Sequence, residues 1–373
     1  MKEGTKKKRV MVMIGTRPEA VKMAPVIRAL IKHRDRFDVT VLSTGQHRAL
    51  IDQTLAVFNL CPDFDLGVMT QRQSLNDITS GVLRAMTAYL QMESFDIVLG
   101  QGDTTSVMAA SMACFYEGIS FGHVEAGLRT GDCRAPYPEE FNRRVVGITA
   151  GMHFAPTPTA RDNLLREGAV EDKIFLTGNP VVDALHFILE NTEEPSRPVP
   201  KDKPYILMTC HRRELFGERV LHVMEAVRDF AMAHPQIHIW YPVHPNPNVK
   251  SVAESVLGST PNIVLSPPLD YVSFVHAMKS AYLVLSDSGG VQEEAPSLGK
   301  PVLVLREVTE RPEAVAAGTC LLVGHDRERI VFELDRLLHD KSAYAAMSNK
   351  RDTFGDGHAA GKIVDAILSS SFS

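Results

Sequence analysis

The sequence predicts an α/β fold of two doubly wound parallel-sheet domains in tandem, with the active site in the cleft between them. Three observations carry this expectation. Short apolar runs alternate with amphipathic stretches over most of the chain, the pattern of βαβ units whose sheet is covered on both faces. The alternation is interrupted by the polar, proline-rich stretch Asn191-Thr192-Glu193-Glu194-Pro195-Ser196-Arg197-Pro198-Val199-Pro200-Lys201 and then restarts. The length, 373 residues, exceeds what one hydrophobic core usually serves.

The elements follow in order. Lys6-Lys7-Lys8-Arg9 reads as a solvated basic tail. The apolar run 10–14 is too short for a signal core or a membrane span and fits a first strand. It ends at Gly15-Thr16-Arg17-Pro18-Glu19, and helix 20–33 carries Lys22; Pro18 suits a first helical turn. Arg17 and Lys22 sit at a strand-to-helix junction, where open α/β sheets bind ligands; they either face a phosphate or are plain surface cations. Only Gly15 of a G-x-G-x-x-G fingerprint is present, which argues against a dinucleotide cofactor.

Strand 39–43 and helices 50–58 and 75–92 come next, then strand 97–99, which runs into Gly100-Gln101-Gly102-Asp103. Asp103 either caps helix 106–116 or aims its carboxylate into the mouth of the cleft. Strand 120–123 leads to Glu125 in a glycine-rich loop, and Glu139 and Glu140 open helix 139–150, where the helix dipole favours negative charge anyway. Strand 153–155 and helix 159–167 complete a first domain over 1–178. Carboxylates recurring at neighbouring loops of one sheet suggest paired acid/base work.

The second domain, 179–356, repeats the pattern. Strand 205–209 runs into Cys210-His211-Arg212-Arg213-Glu214, where His211 is either structural or an anion contact favoured by its arginine neighbours. Helix 215–233 and strand 237–242 precede Val243-His244-Pro245-Asn246-Pro247-Asn248, whose prolines read as shaping a turn. Strand 263–265 and helix 271–279 lead to strand 283–286 and Asp287-Ser288-Gly289-Gly290, with a helix from Val291 onward. Backbone N–H groups at such a helix start make an anion site, so the chain is expected to hold a nucleotide diphosphate. Glu293 and Glu294, one turn on, could take ribose hydroxyls, a role carboxylates play in dinucleotide sites. Strand 302–305 is followed by Thr309-Glu310-Arg311, which places Arg311 to reach the same ligand, and by helices 311–317 and 327–339. A last amphipathic helix, 360–368, is expected to join the first domain as a C-terminal segment over 357–373.

Composition fits a soluble globular enzyme, with 44% hydrophobic and 23% charged residues. The net charge of −5 argues against a broad nucleic-acid or membrane surface. Five cysteines without a CxxC pair suit a reducing, cytoplasmic setting. With neither HExxH nor HxxEH nor clustered Cys and His, the sequence offers no metal constellation.

The motifs GTRPEAVKMAP (15–25), GQHR (45–48), GDTTS (102–106), GHVEAGLRTGD (122–132), PEEFNRR (138–144), HRRELFG (211–217), YPVHPNPNV (241–249), SDSGGVQEEAPSLGKPV (286–302) and TERPEAV (309–315) together resemble the non-hydrolysing UDP-N-acetylglucosamine 2-epimerases over nearly the whole chain. The resemblance implies two Rossmann-like domains arranged as in B-type glycosyltransferases, and interconversion of UDP-GlcNAc and UDP-N-acetylmannosamine without a cofactor or metal. It implies catalytic roles for Asp103, Glu125, Glu139 and His211. It implies sugar and diphosphate contacts at Arg17, Lys22, His211 and Arg311, and UDP contacts at Phe274, Ser288, Gly289, Gly290 and Glu294. Some members bind a second UDP-GlcNAc as activator; Gln46, Arg72, Arg212 and His244 fit that pattern, whereas Ala49 stands where those members carry Gln. A homodimer is also implied.

C2–H of the sugar has no neighbouring carbonyl to acidify it. Without a dinucleotide to oxidise C3, the remaining route breaks the C1–O bond first, so that positive charge at C1 acidifies C2–H. Rival readings are a hydrolysing epimerase that releases UDP and N-acetylmannosamine, a B-type glycosyltransferase, and a non-catalytic UDP-sugar sensor.

Overall fold

The computed structural model describes residues 7–45, 48–68, 70, 73–212, 215–349 and 352–372. The chain divides into two compact units: Met1–His186 with Phe354–Ser373, and Phe187–Thr353.

The first unit runs β1 (Lys8–Ile14), α1 (Arg17–Lys32), β2 (Phe37–Ser43), α2 (Arg48–Val57), β3 (Phe64–Asp65), α3 (Leu75–Met92), β4 (Ile97–Gln101), α4 (Thr105–Tyr116), β5 (Ser120–Val124), α5 (Glu139–Thr149), β6 (Met152–Ala155), α6 (Pro158–Arg166), a 3₁₀ turn (Glu171–Lys173) and β7 (Ile174–Leu176). Helix α7 (Pro180–Asn191) carries the chain across the division, and α15 (Ala359–Ser369) returns to the first unit. The strands form a seven-stranded sheet ordered β3-β2-β1-β4-β5-β6-β7, in which each pairing is parallel. Central strands β1 and β4 are buried on both faces, as a doubly covered parallel sheet requires. Met11, Met13 and Val98 pack with α3 and α4 through Val82, Met86, Val107 and Ala110. Helices α1 and α15 pack together.

Lys8 and Arg9 are not a solvated tail. They begin β1, and the Lys8 ammonium donates to Ile367 O at 2.7 Å and Ser370 O at 2.5 Å. A cation there meets the carbonyl end of α15, where the helix dipole is negative. Arg9 pairs with Glu93 at 2.8 Å. The tail reading failed because a basic edge to a strand looks like any other basic run until the returning C-terminal helix supplies its partner.

The second unit contains β8 (Tyr205–Thr209), α8 (Glu218–Ala233), β9 (His238–Pro242), α9 (Pro247–Leu257), β10 (Ile263–Ser266), α10 (Tyr271–Ser280), β11 (Leu283–Ser286), α11 (Gly289–Ser297), β12 (Val302–Val304), α12 (Pro312–Ala316), β13 (Cys320–Leu322), α13 (Arg327–His339) and α14 (Lys341–Ser348). Its six strands are ordered β10-β9-β8-β11-β12-β13, again with parallel pairings. The turn expected from Asn246-Pro247 is instead the start of α9. Asn246 caps it, accepting from Asn248 N at 3.0 Å, and Pro247 occupies the first turn, where its missing N–H costs nothing.

Each sheet reverses its winding once, between β1 and β4 in the first unit and between β8 and β11 in the second. The carboxyl ends of strands at such a reversal splay apart into a crevice that no connection crosses. The segments after β1, β4, β8 and β11 carry Arg17, Asp103, His211 and Ser288–Gly290.

Candidate active site

In the first unit the site is built from loops that follow β1, β4 and β5. Thr16 caps α1 and Glu19 returns the bond in a capping box, its carboxylate accepting from Gly15 N at 2.5 Å and Thr16 N at 3.2 Å. This fixes the turn that presents Arg17, half-buried at the first position of α1. Glu19 is 2% exposed, and burial pushes its pKa up to about 7 against the pull of the backbone and hydroxyl donors around it. A raised carboxyl pKa means the folded state holds a proton that the unfolded state has lost between pH 4.5 and about 7. Stability from this group is therefore greatest below pH 4.5 and declines as pH rises through that window, by at most about 1.4 kcal/mol per pH unit. Denaturant unfolding of Glu19→Gln at several pH values is expected to lose that slope.

Lys22, on the next turn of α1, forms a buried ion pair with the Glu125 carboxylate, and Asn179 Nδ2 donates to the same oxygen at 2.8 Å. Glu125 follows β5 with φ of +65°, a left-handed conformation that non-glycine residues seldom adopt and that costs about 1 kcal/mol or more. The backbone is held there while the carboxylate is clamped by two residues from other elements.

Asp103 does not cap the helix. Thr104 does, accepting from Val107 N at 3.2 Å, and the Asp103 carboxylate pairs with Arg143 Nη1 at 2.5 Å. Arg143 is backed by the fully buried Glu140 at 3.0 Å, which also accepts from Thr130 N and Gly131 N. Asn142 donates to Asp103 O at 2.8 Å. The carbonyl of Gly102, one residue earlier, accepts from His123 Nε2 at 2.8 Å. Burial first, with His153 and Arg129 adding, drives the His123 pKa down to about 3, so its ring is neutral. Glu139 is the first residue of α5, and its Oε2 is buried with no hydrogen-bond partner among the described residues. Such an atom normally costs about 1–3 kcal/mol, and a site awaiting a ligand group is one of the few places that tolerate it.

In the second unit Asp287, just past β11, accepts from His211 N at 2.6 Å and Arg212 N at 2.7 Å, and its other oxygen lies 3.0 Å from His211 Nδ1. Burial works to raise the Asp287 pKa, but the His211 bond and charge and the two amides hold it below the usual carboxylate range. The His211 ring turns Nδ1 toward Asp287 and stacks on His244 with centroids 5.8 Å apart. Arg212 lies 3.3 Å from Glu310, which also binds Arg306 and Arg311 at 2.7 Å each.

Helix α11 opens at Gly289, earlier than Val291, with Ser288 at its N-cap and no side-chain capping bond there. Its first amide groups are thus presented as an anion cradle. A Cβ at Gly289 would stand 2.6 Å from Arg311 Nη1, so only glycine lets the guanidinium lie against the cradle. At Gly290 a Cβ would meet Glu294 Oε2 at 3.7 Å, an ordinary van der Waals contact, so no crowding excludes a side chain there. Glu293 does not serve a ribose: it is fully buried and holds Arg311 Nε at 2.7 Å. Glu294 accepts from the Tyr271 hydroxyl at 2.7 Å, and Phe274 is half-buried on α10.

The structure therefore groups Lys22 with Glu125 in one unit, and His211 with Asp287, and Arg311 with Gly289, in the other. Gln46 and Arg72 lie outside the described residues. Sequence reasoning missed Glu19, His123, Glu140, Asn142, Arg143, Asn179 and Asp287 as the groups that hold the site in place.

A sequence model of the family described as UDP-N-acetylglucosamine 2-epimerase matches residues 29–368. The chain is 47% identical to the UDP-N-acetylglucosamine 2-epimerase of Escherichia coli K12 over 96% of this chain and 98% of that one. It is similar to the crystal structure of UDP-GlcNAc 2-epimerase from Neisseria meningitidis bound to UDP-GlcNAc, with a TM-score of 0.93, 43% identity, and coverage of 97% of this chain and 100% of that one. A glycosyltransferase of kitacinnamycin shares the fold alone, at a TM-score of 0.66 and 12% identity over 97% of this chain and 98% of that one.

Proposed function

The chain belongs to the UDP-N-acetylglucosamine 2-epimerase family, and from that premise we propose that it interconverts UDP-GlcNAc and UDP-N-acetylmannosamine by elimination and re-addition of UDP, without net hydrolysis. The observation that carries the proposal is the set of carboxylates at Asp103, Glu125 and Glu139, two held by buried cations and the third carrying a buried oxygen without a hydrogen-bond partner among the described residues.

The α11 amides, Arg311 and His211 meet the charge of the diphosphate, which makes UDP a good leaving group. The C1–O bond breaks with its electron pair leaving on UDP. A carboxylate stabilises the positive charge left at C1, as in glycoside hydrolysis, and a carboxylate removes the acidified C2 proton. The C2–H electron pair becomes the C1=C2 bond of a 2-acetamidoglucal. Protonation of C2 from the opposite face, with UDP re-adding at C1, gives the epimer. Two faces require two acid/base groups, which the three carboxylates supply.

An NMR time course in heavy water is expected to show deuterium at C2 of the product and no stoichiometric build-up of free UDP. Retention of the C2 hydrogen would exclude elimination. Free UDP rising in step with N-acetylmannosamine would assign the hydrolysing activity instead.

On this reading the enzyme is cytoplasmic and its product feeds N-acetylmannosamine-type units into a cell-surface polysaccharide. We also propose a homodimer, supported by Phe115, Tyr116 and Ile148, which are 59%, 68% and 80% exposed near the ends of α4 and α5. Large exposed apolar side chains grouped together mark interaction surfaces. Light scattering is expected to give twice the 41.1 kDa chain mass; a monomer at micromolar concentration would refute the dimer.

A further inference from the structure

Helices α8 and α13 pack against each other in the second unit, and their C-terminal ends bring together His234, Asp335 and His339, three side chains that the reaction does not use. Their donor atoms all lie within 4.8 Å of one another. His234 Nε2 is 2.6 Å from Asp335 Oδ1, so the longer separations involve His339.

One of the three groups, His234, is held in place by core packing, and Asp335 is tied to it by their hydrogen bond. His234 is the C-cap of α8, with its amide bonded to Phe230 O and Ala231 O. Asn262, itself buried, donates to the carbonyls of Ala231, His234 and Ile237 at 2.9, 3.2 and 2.7 Å, which fixes the backbone on both sides of His234. Its ring lies against Phe230 with centroids 4.7 Å apart. Asp335 follows the buried Leu334 on α13, and His339 stands four residues on, so both project from one helix face.

An interhelical hydrogen bond between His234 and Asp335 explains those two residues but not the imidazole of His339 beside them. A four-coordinate ion with bonds of about 2.0–2.2 Å sets its donor atoms about 3.3 Å apart. Reaching that spacing needs His234 Nε2 and Asp335 Oδ1 to move apart from 2.6 Å, exchanging their hydrogen bond for bonds to the ion, and the exposed His339, whose ring lies 5.4 Å from that of His234, to rotate toward them. Two imidazoles and one carboxylate suit a borderline transition ion; magnesium and calcium prefer all-oxygen sites. The negative ends of two helix dipoles point at the same place and add attraction for a cation.

We propose that His234, Asp335 and His339 form a binding site for a divalent transition metal of the zinc class, stapling the C-terminal ends of α8 and α13, with water in the fourth position. The sequence carries no recognisable metal motif because His234 is separated from Asp335 by 101 positions. The site is separate from the proposed chemistry, so its failure would leave the epimerase reading untouched.

The test is competition between the full-length chain, stripped with a chelator, and a chromophoric zinc indicator. One equivalent of Zn²⁺ is expected to bind, with Mg²⁺ ineffective at the same concentration, and Co²⁺ is expected to give the visible bands of a four-coordinate ion. His339→Ala removes an exposed side chain and should fold normally, yet weaken binding at least about tenfold; Asp335→Asn should do the same. Zinc is expected to raise the thermal midpoint of the wild type by about 3 °C at saturating metal, and not that of His339→Ala. Epimerase turnover should be unchanged in His339→Ala. No stoichiometric binding, or binding equally tight in His339→Ala (zinc held instead by a thiol such as the exposed Cys61), would overturn the proposal.

Discussion

Glu125→Gln is expected to lower kcat by about 10²–10⁴-fold, the usual weight of a positioned acid/base group, while UDP still binds. The amide keeps the size of the side chain and can still accept from Lys22 and Asn179, the two partners of the carboxylate. It cannot accept a proton from carbon or balance positive charge at C1. Because the substitution also leaves the Lys22 ammonium without its counter-charge, two controls belong with it. The variant's unfolding midpoint separates lost chemistry from lost structure, and a UDP titration checks that the diphosphate end of the ligand is still held. Exchange of C2–H with heavy water should fall in parallel with turnover. A loss of less than tenfold, in a folded variant that binds UDP, would remove Glu125 from proton transfer.

Asp287→Ala is the second large effect. The carboxylate is fully buried and accepts two backbone N–H bonds as well as facing His211. Removing it strands the amides of His211 and Arg212, and the loss is expected to be about 3 kcal/mol of stability in the second unit, after discounting the His211 charge because its ring is 40% exposed. The pH dependence has a definite sign. The folded-state pKa of Asp287 is depressed, so its contribution is present above the ordinary aspartate value of about 3.9 and lost as pH falls through the folded value. Urea midpoints of wild type and variant should therefore differ widely at pH 7 and converge toward pH 3. Since His211 loses its orienting partner, KM for the UDP-sugar should rise as well. Equal midpoints at pH 7 would show that the aspartate does not hold this loop.

The fold was legible because buried parallel strands read as continuous apolar runs, and the amphipathic segments between them leave few topologies open. What escaped was short or oddly punctuated. Strands β3, β7 and β13 have two or three residues each, below the length at which apolar periodicity rises above chance. Helices α7 and α9 begin at Pro180 and Pro247, and a proline marks a helix start as readily as a turn. In the site, Asp103 and Glu125 stood out because a polar residue directly after a buried strand has only the sheet's mouth to face. Their anchors did not, because Arg143 and Asn179 lie 40 and 54 residues away. Glu293 misled for the same reason. A carboxylate one turn into a helix looks available to a ligand until Arg311, 18 residues later, is seen to occupy it.

The positive φ of Glu125 has a consequence for how this position can vary. The side chains that sit most easily in that backbone region are glycine, asparagine and aspartate. The first two bring no acid, and aspartate withdraws its carboxylate by one methylene from Lys22 and Asn179. Glutamine preserves reach but not acidity, and gains nothing from the backbone. Every single replacement thus sacrifices either torsional ease, length or charge, which makes position 125 a mutational cul-de-sac: directed evolution of this chain toward another sugar would have to proceed around it.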